Sequence, residues 1–436
     1  MMFNAVEFIE KKRDGKFHSR GEINGLVEAV MDGSMPDYQL SAWLMAAFLN
    51  GLDDDEIMFL TEALAHSGEM LHYPAEHKII DKHSTGGVGD KTTLVLVPLV
   101  ASCGAKISKL SGPGLGYTGG TVDKLKSIPG MQLSLDNESF RAQVSAIGCA
   151  ISGHSANLAP AEGRFYKLRD VTGTVPSVPL ITTSIVSKKL AGGAYGYLFD
   201  VKSGSGAFMR SKDEAEKLAR KLVQISEKLG KICTAVITDM EQPLGEWVGN
   251  AAEVLEAIQV LKGCGPEDTR ELCINLGGYM LAMSGLCKTY EEGFSVCEKS
   301  LYNGTALNKF RELVEAQGGN GLVCEEPEKI LPSAKFVYKI KAEKTGYLSK
   351  LDALSVGEGL RALGGGRLRK EDTIDPAVAV KLCAKTGDPL NRGDTVIEIH
   401  YNSDDQLKSA MPYINSCWDV SDHADRRKLI LERINH

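Results

Sequence analysis

Up to about residue 70, apolar residues recur at three- and four-residue spacing between polar punctuation marks. Ser19-Arg20-Gly21-Glu22 has the hydroxyl and carboxylate of a capping box, and Leu26, Val27 and Val30 then fall on one face. Pro36-Asp37 opens a second helix carrying Leu40, Leu44, Ala47 and Phe48, which Asn50-Gly51 ends. Asp53-Asp54-Asp55-Glu56 puts acid at the positive end of a third, closing at Ser67-Gly68. After Pro74 the pattern changes to strand, glycine-rich loop and helix. Ile79-Ile80 reads as a strand, Thr92 to Ala101 as a helix and Lys106 to Leu110 as a strand. Further strands are predicted at Tyr197–Val201 and Thr234–Ile237, with helices at Lys212–Leu229, Asn250–Leu261 and Thr269–Met283. Such alternation predicts an open α/β fold. The stretch 162–192 is helical again and is expected to pack back on the first helices. Beyond Lys341, turn-rich segments (Gly346-Tyr347-Leu348 and Gly387 to Asp394) flank a β-like run at Thr395–His400, and Asp425–Ile434 reads as a basic amphipathic helix with a solvated face.

The expected architecture is therefore α/β. It has a small discontinuous all-helical domain (1–69 and 162–192), a larger α/β domain around a central sheet (70–161 and 193–340) and a C-terminal α+β module (341–436). The 436 residues suffice for large cores, and 43% hydrophobic with 25% charged residues is the composition of a globular protein. A net charge of −7 argues against a dedicated nucleic-acid binder. No run reaches the roughly 18 apolar residues of a membrane span. The first residues lack the basic and apolar regions of a signal peptide, and the ten cysteines contain no C-x-x-C pair, so reduced thiols and a cytoplasmic location are expected.

Two loops carry candidate chemistry. The first runs Lys82-His83-Ser84-Thr85-Gly86-Gly87-Val88-Gly89-Asp90-Lys91-Thr92-Thr93, the second from Lys109 through Ser111-Gly112-Pro113-Gly114 and Tyr117-Thr118-Gly119-Gly120 to Thr121. Each joins a strand to a helix. Glycines let backbone N–H groups line a concavity, and hydroxyls, lysines and a helix N-terminus complete a cradle for an oxyanion. Neither loop is a Walker A or a dinucleotide fingerprint, so no nucleotide cofactor is expected and free phosphate fits better. One such turn alone reads as a turn; two in succession, each with Lys, Ser and Thr, point to the ligand-binding edge of one sheet. Asp90 and Asp123 are the nearest acidic groups for a magnesium ion, but helix capping accounts for them better. In a third segment, Arg169 precedes Pro179 to Lys189, where Ser184 and Lys188 stand four apart on one helix face, able to read a planar polar ring.

These segments resemble the class II nucleoside phosphorylases, the pyrimidine-nucleoside and thymidine phosphorylases. The resemblance runs nearly the whole chain, through Lys82–Thr93, Ser111–Leu125, Arg169–Lys188, Asp200–Met209, Asp239–Glu253 and Gly364-Gly365-Gly366-Arg367 to Asp375. It implies a homodimer that converts a nucleoside and inorganic phosphate reversibly into free base and α-pentose 1-phosphate, in salvage or catabolism. It implies phosphate contacts from Lys82, Ser84, Thr93, Lys109, Ser111 and Thr121. It implies base contacts from Arg169, Ser184 and Lys188, and a catalytic set of Lys82, Arg169, Lys188 and Tyr117. Lys109 is the residue found where family members accept both uridine and deoxyuridine.

The chain departs from the pattern at Pro113 (an Arg in the family), Tyr117 (a His) and Lys126 (a Glu), which points to altered base or sugar preference. The resemblance also implies a potassium ion on Gly89, Leu244, Trp247 and Glu256. Lys91, standing where Thr is usual, leaves two readings open: its ammonium replaces the ion by pairing with Glu256, or it points to solvent and the ion binds through backbone oxygens. The rival functions are a phosphoribosyltransferase like the anthranilate enzyme and a binding-only paralogue.

Overall fold

A computed structural model of the chain describes residues 3–112, 114, 119–367 and 372–435. Four helices open it: α1 (Ala5–Arg13), α2 (Arg20–Asp32), α3 (Asp37–Asn50) and α4 (Asp54–Ala65). Capping boxes start α2 at Ser19/Glu22 and α4 at Asp53/Glu56. Glu56 also pairs with the buried Lys12 at 2.7 Å, which locks α1 to α4.

The chain then alternates. β1 (Ile80–Ser84) leads to α5 (Thr92–Ser102), β2 (Ile107–Ser111) to α6 (Thr121–Leu125) and α7 (Asn137–Ile147), and β3 (Cys149–Gly153) to α8 (Pro160–Thr172) and α9 (Val178–Ala191). β4 (Gly196–Ser203), α10 (Lys212–Lys228), β5 (Ile232–Asp239), α11 (Asn250–Leu261) and α12 (Glu267–Met283) complete the α/β region. α8 and α9 pack on α2, α3 and α4. Pro160 and Pro179 sit in the first turns of α8 and α9, where a missing N–H costs nothing.

The central sheet has the order β6-β5-β4-β1-β2-β3, with β6 at Ile430–Ile434. β1 to β5 run parallel; β6 lies antiparallel on β5, so the sheet is mixed. Its two faces belong to different cores. Ile80, Ile107, Ile151, Leu198 and Val236 face α5, α11 and α12, while Leu110, Tyr197, Phe199 and Ala235 face the helical side. α5 is buried along its length from Thr92 to Ala101, which suits a helix apolar all round. Of two small sheets, one is built on Gly346–Leu351 within the C-terminal module, and the other joins Thr395–Tyr401 to Phe336–Lys341 and, through Ala379–Leu382, to Trp247–Val248 of the α/β region.

Three readings of the chain change. Asp425–Ile434 is not a helix: Ile430–Ile434 is the edge strand β6. Ile430 and Leu431, adjacent in sequence, pack on opposite cores as strand neighbours do. The free edge of β5 draws this segment in and is thereby covered. Its arginines are individually engaged, Arg426 with Asp388 at 3.1 Å, Arg427 with Asp239 at 2.7 Å and Arg433 over Tyr279 at 4.4 Å. The first strand does not stop at Ile80 but continues to Ser84, since β4 pairs with all five residues; Lys82 and Ser84 are strand residues, not loop residues. Gly346-Tyr347-Leu348 likewise begins a strand rather than a turn.

Candidate active site

Ser84, Ser111, Gly153 and Ser203 are the last residues of four neighbouring parallel strands, so the loops after them open at one carboxyl edge of the sheet. Ile80 is in register with Ile107. Lys124 of α6 ties that helix to the first turn: its ammonium donates to the Asp90 carbonyl at 2.7 Å and pairs with Glu253 at 2.6 Å.

Lys82 is fully buried, 3.2 Å from the Asp200 carboxylate, and its ammonium makes no hydrogen bond of good geometry. Asp200 also pairs with Lys202 at 2.8 Å and accepts from Thr238 at 2.7 Å. Lys109 donates to the Leu110 carbonyl at 3.2 Å, which Lys189 also approaches. Burial, and then the neighbouring Lys189, push the Lys109 ammonium well below the ordinary lysine range, against the pull of Asp81. Ser84 donates to Asp90 and accepts from the Gly86 N–H, and Asp90 also accepts from Thr92. Burial opposes the charge on Asp90, but Lys202, Lys82 and Lys124 hold its carboxyl well below the usual range. Thr93 is buried as the second residue of α5, Ser111 is half-buried at the end of β2, and Thr121 is half-buried as the first residue of α6. Asp123 serves a different end from capping or metal binding: it pairs with Arg367 at 2.8 Å and accepts from the Gly114 N–H at 2.7 Å, anchoring the second turn to the C-terminal module. Pro113 and Tyr117 lie outside the described residues, and Lys126 is exposed at the end of α6.

On the helical side, Glu162 of α8 organises α9. It accepts from the Ser184 hydroxyl and pairs with Lys188 at 2.7 Å, and Lys188 lies 5.2 Å over the Tyr166 ring. Arg169 is buried and turned onto backbone: it donates to the carbonyls of Thr174, Val175 and Leu180 at 3.3, 2.8 and 2.9 Å. A guanidinium has five N–H groups, so two remain. In this conformation Arg169 first of all clamps the segment that leads into α9.

Sequence reasoning did not assign Glu162, Asp200, Lys202 or His83. His83 is a residue of β1 between Lys82 and Ser84. Burial, then Lys189, Lys109, Lys82 and Lys188, push its imidazole well below the ordinary histidine range, so it is neutral.

The comparisons with known proteins agree with this geometry. The a/b domain of a glycosyl transferase family matches residues 76–307, the helical bundle domain of that family matches 6–68, and the pyrimidine nucleoside phosphorylase C-terminal domain matches 347–421. The pyrimidine-nucleoside phosphorylase of Geobacillus stearothermophilus is 46% identical over 398 residues, covering 91% of this chain and 92% of its own. That of Staphylococcus aureus (strain MSSA476) is 43% identical over 426 residues, 98% of each chain. The chain belongs to the pyrimidine-nucleoside phosphorylase branch of this glycosyl transferase family. Anthranilate phosphoribosyltransferase from Thermus thermophilus shares the fold, with a TM-score of 0.59 at 18% identity over 71% of this chain and 99% of that one.

A family potassium ion does not fit the residues present. Its expected donors at Leu244, Trp247 and Glu256 converge instead on the Lys91 ammonium, at 2.8, 2.9 and 2.6 Å, and the Gly89 carbonyl accepts from the Lys91 N–H at 2.9 Å. Lys91 does not point to solvent; its side chain is 0% exposed.

Were an anion to bind beside the depressed Lys109, binding would be a proton-linked event. An anion beside it raises its pKa, so between the free and bound values Lys109 takes up a proton on binding. Affinity for sulfate, which does not titrate there, then tightens as pH falls through that window by up to about tenfold per pH unit. Calorimetry in buffers of differing ionisation heat measures the uptake; identical heats in all buffers refute it.

Proposed function

We propose that this chain catalyses the reversible phosphorolysis of pyrimidine nucleosides and deoxynucleosides. Phosphate held by Lys82, Ser84, Thr93, Lys109, Ser111, Thr121 and the N–H groups of the turns attacks C1′ from the face opposite the base. The glycosidic bond breaks with its electron pair moving onto the pyrimidine, whose carbonyl oxygens gather the negative charge. Lys188, Ser184 and the two remaining Arg169 N–H groups stabilise that charge in a site closed to water. Lys109 is the reason to expect tolerance at the 2′ position.

Glu162 is a positioning residue in this scheme, and Arg169 both shapes α9 and faces the base. Closure of the helical unit, 1–69 with 162–192, onto the remainder completes the site. Salvage or catabolism of nucleosides in the cytoplasm is the setting proposed; among the described residues, no helix is long and apolar enough to cross a membrane. A homodimer is proposed through the α3 stripe of Tyr38, Met45 and Leu49, large apolar residues left exposed at helical spacing.

The observation that carries this reading is Lys189 of α9, next in sequence to Lys188, which pairs with Asp81 of β1 at 2.6 Å and reaches at 3.4 Å the Leu110 carbonyl to which Lys109 also donates. The two halves therefore flank one cleft. The test is a panel of pyrimidine nucleosides assayed with and without phosphate, following free base and pentose 1-phosphate. Base release that requires phosphate is expected. Release without phosphate, ligand binding with no release, or turnover of phosphoribosyl pyrophosphate with magnesium instead overturns the proposal.

A further inference from the structure

We propose that Lys91 is a built-in monovalent cation, which makes the first phosphate turn independent of potassium or any other alkali ion. The ammonium has three N–H groups and three oxygen acceptors: the carbonyls of Leu244 and Trp247 and Oε1 of Glu256, at 2.6–2.9 Å. The rest of the shell is engaged as well. Oε2 of Glu256 accepts from the N–H groups of Glu246 and Trp247 at 3.0 and 2.6 Å, so segment 244–247 wraps around the pair. Gly245 has φ +70°, and a Cβ there would collide with both the Glu256 carboxylate and the ammonium. Gly89, at φ +73°, brings the turn's backbone against Leu244 in the same way. Each N–H of the ammonium thus has an oxygen acceptor, one of them the carboxylate with which Lys91 forms a fully buried ion pair. A metal ion seated among the same oxygens would stand within a few ångströms of a fixed positive charge in a dry interior, where repulsion is strong.

What the ammonium does follows from where it is anchored. Lys91 is the residue before α5, directly after Asp90, so its side chain fastens the end of the first turn to the chain leading into α11. Lys124 makes a parallel tie from Asp90 to Glu253 of α11. Together they fix the turn that presents Ser84 and the backbone N–H groups to an anion. Lys91 is thus a positioning residue that supplies covalently what a dissociable ion would supply by binding.

Activity as a readout rests on the phosphorolytic reading above; cation-dependent stability does not, and so separates the two. For the unaltered chain at constant ionic strength, replacing potassium by sodium or choline is expected to leave both the thermal midpoint and kcat/KM for phosphate unchanged, the latter within about twofold, because a site that binds no ion gains nothing from it. Lys91→Thr removes the ammonium and leaves its oxygens facing a cavity. That variant is expected to unfold at lower temperature in choline, to regain stability with added potassium more than with sodium, and to recover activity in parallel. Lys91→Met, which fills the space without charge, is expected to respond to neither ion. An unaltered chain whose midpoint rises specifically with potassium overturns the proposal, and this measurement holds even if Lys91→Thr fails to fold. So does a folded Lys91→Thr protein indifferent to every cation.

Discussion

Lys82→Met is expected to lower kcat/KM for phosphate by about 10²–10³-fold, the loss that follows when one preorganised charge is taken from a reacting centre. The linear side chain keeps most of the buried volume, so the change isolates the ammonium. Lys82 lies fully buried beside Asp200 without a hydrogen bond of good geometry, and the turn beyond it opens at the sheet edge. On the proposed reading, an oxyanion bound there would supply the missing acceptor. Stability changes less than activity. Breaking a buried ion pair costs about 3–5 kcal/mol when a charge is stranded, but Asp200 keeps Lys202 at 2.8 Å and Thr238 at 2.7 Å. Steady-state kinetics with varied phosphate, set beside a thermal melt, checks both halves. Undiminished turnover in Lys82→Met removes Lys82 from the phosphate site, and a collapse of the fold without a folded, inactive population assigns it to structure alone.

The α/β class and most helices were legible because local and tertiary preferences coincide there. Asn250–Leu261 carries its apolar positions at helical spacing and is α11, and Ser19 with Glu22 starts α2 as a capping box. The segment at 430–434 misleads for the opposite reason. Its apolar residues also satisfy a helical spacing, and only the open edge of β5, invisible in the local sequence, decides between helix and strand. The extension of β1 through Lys82 to Ser84 is equally non-local, set by pairing with β4. Charged residues inside a strand break an apolar pattern, so periodicity alone ended that strand too early.

In the candidate site, the glycine-rich turns announce themselves through composition, whereas the groups that support them do not. Asp200 and Lys202 alternate with Phe199 and Val201 in β4, and a charged pair two apart within a wholly buried strand is a signal that could have been read. Lys91 shows the limit from the other side. The sequence narrows its fate to two alternatives, and the choice depends on carbonyls about 150 residues away, at 244 and 247, whose positions arise only from the packing of α11 against α5.

Glu162 gives the second large effect. A lone glutamate near a helix start is usually solvated, yet Glu162, Tyr166 and Arg169 stand at spacings of four and three and share the face of α8 that meets α9. Glu162 is buried, holds the Ser184 hydroxyl and pairs with Lys188, so it fixes the direction of both groups assigned to the base. Glu162→Gln keeps the shape but turns a charge-assisted contact into a neutral one. A hydrogen bond to a charged group is worth about 1.5–3 kcal/mol, so kcat/KM for the nucleoside should fall about 10–100-fold. KM for phosphate should stay within about twofold, because the turns that bind it are built from other residues. The thermal midpoint should fall little, since Lys188 is partly exposed and solvent screens its lost partner. Glu162→Asp, which restores the charge on a shorter stem, should recover part of the nucleoside term. Equal losses for both substrates, or identical behaviour of the Gln and Asp variants, would show that Glu162 supports the helix pair rather than aiming Ser184 and Lys188.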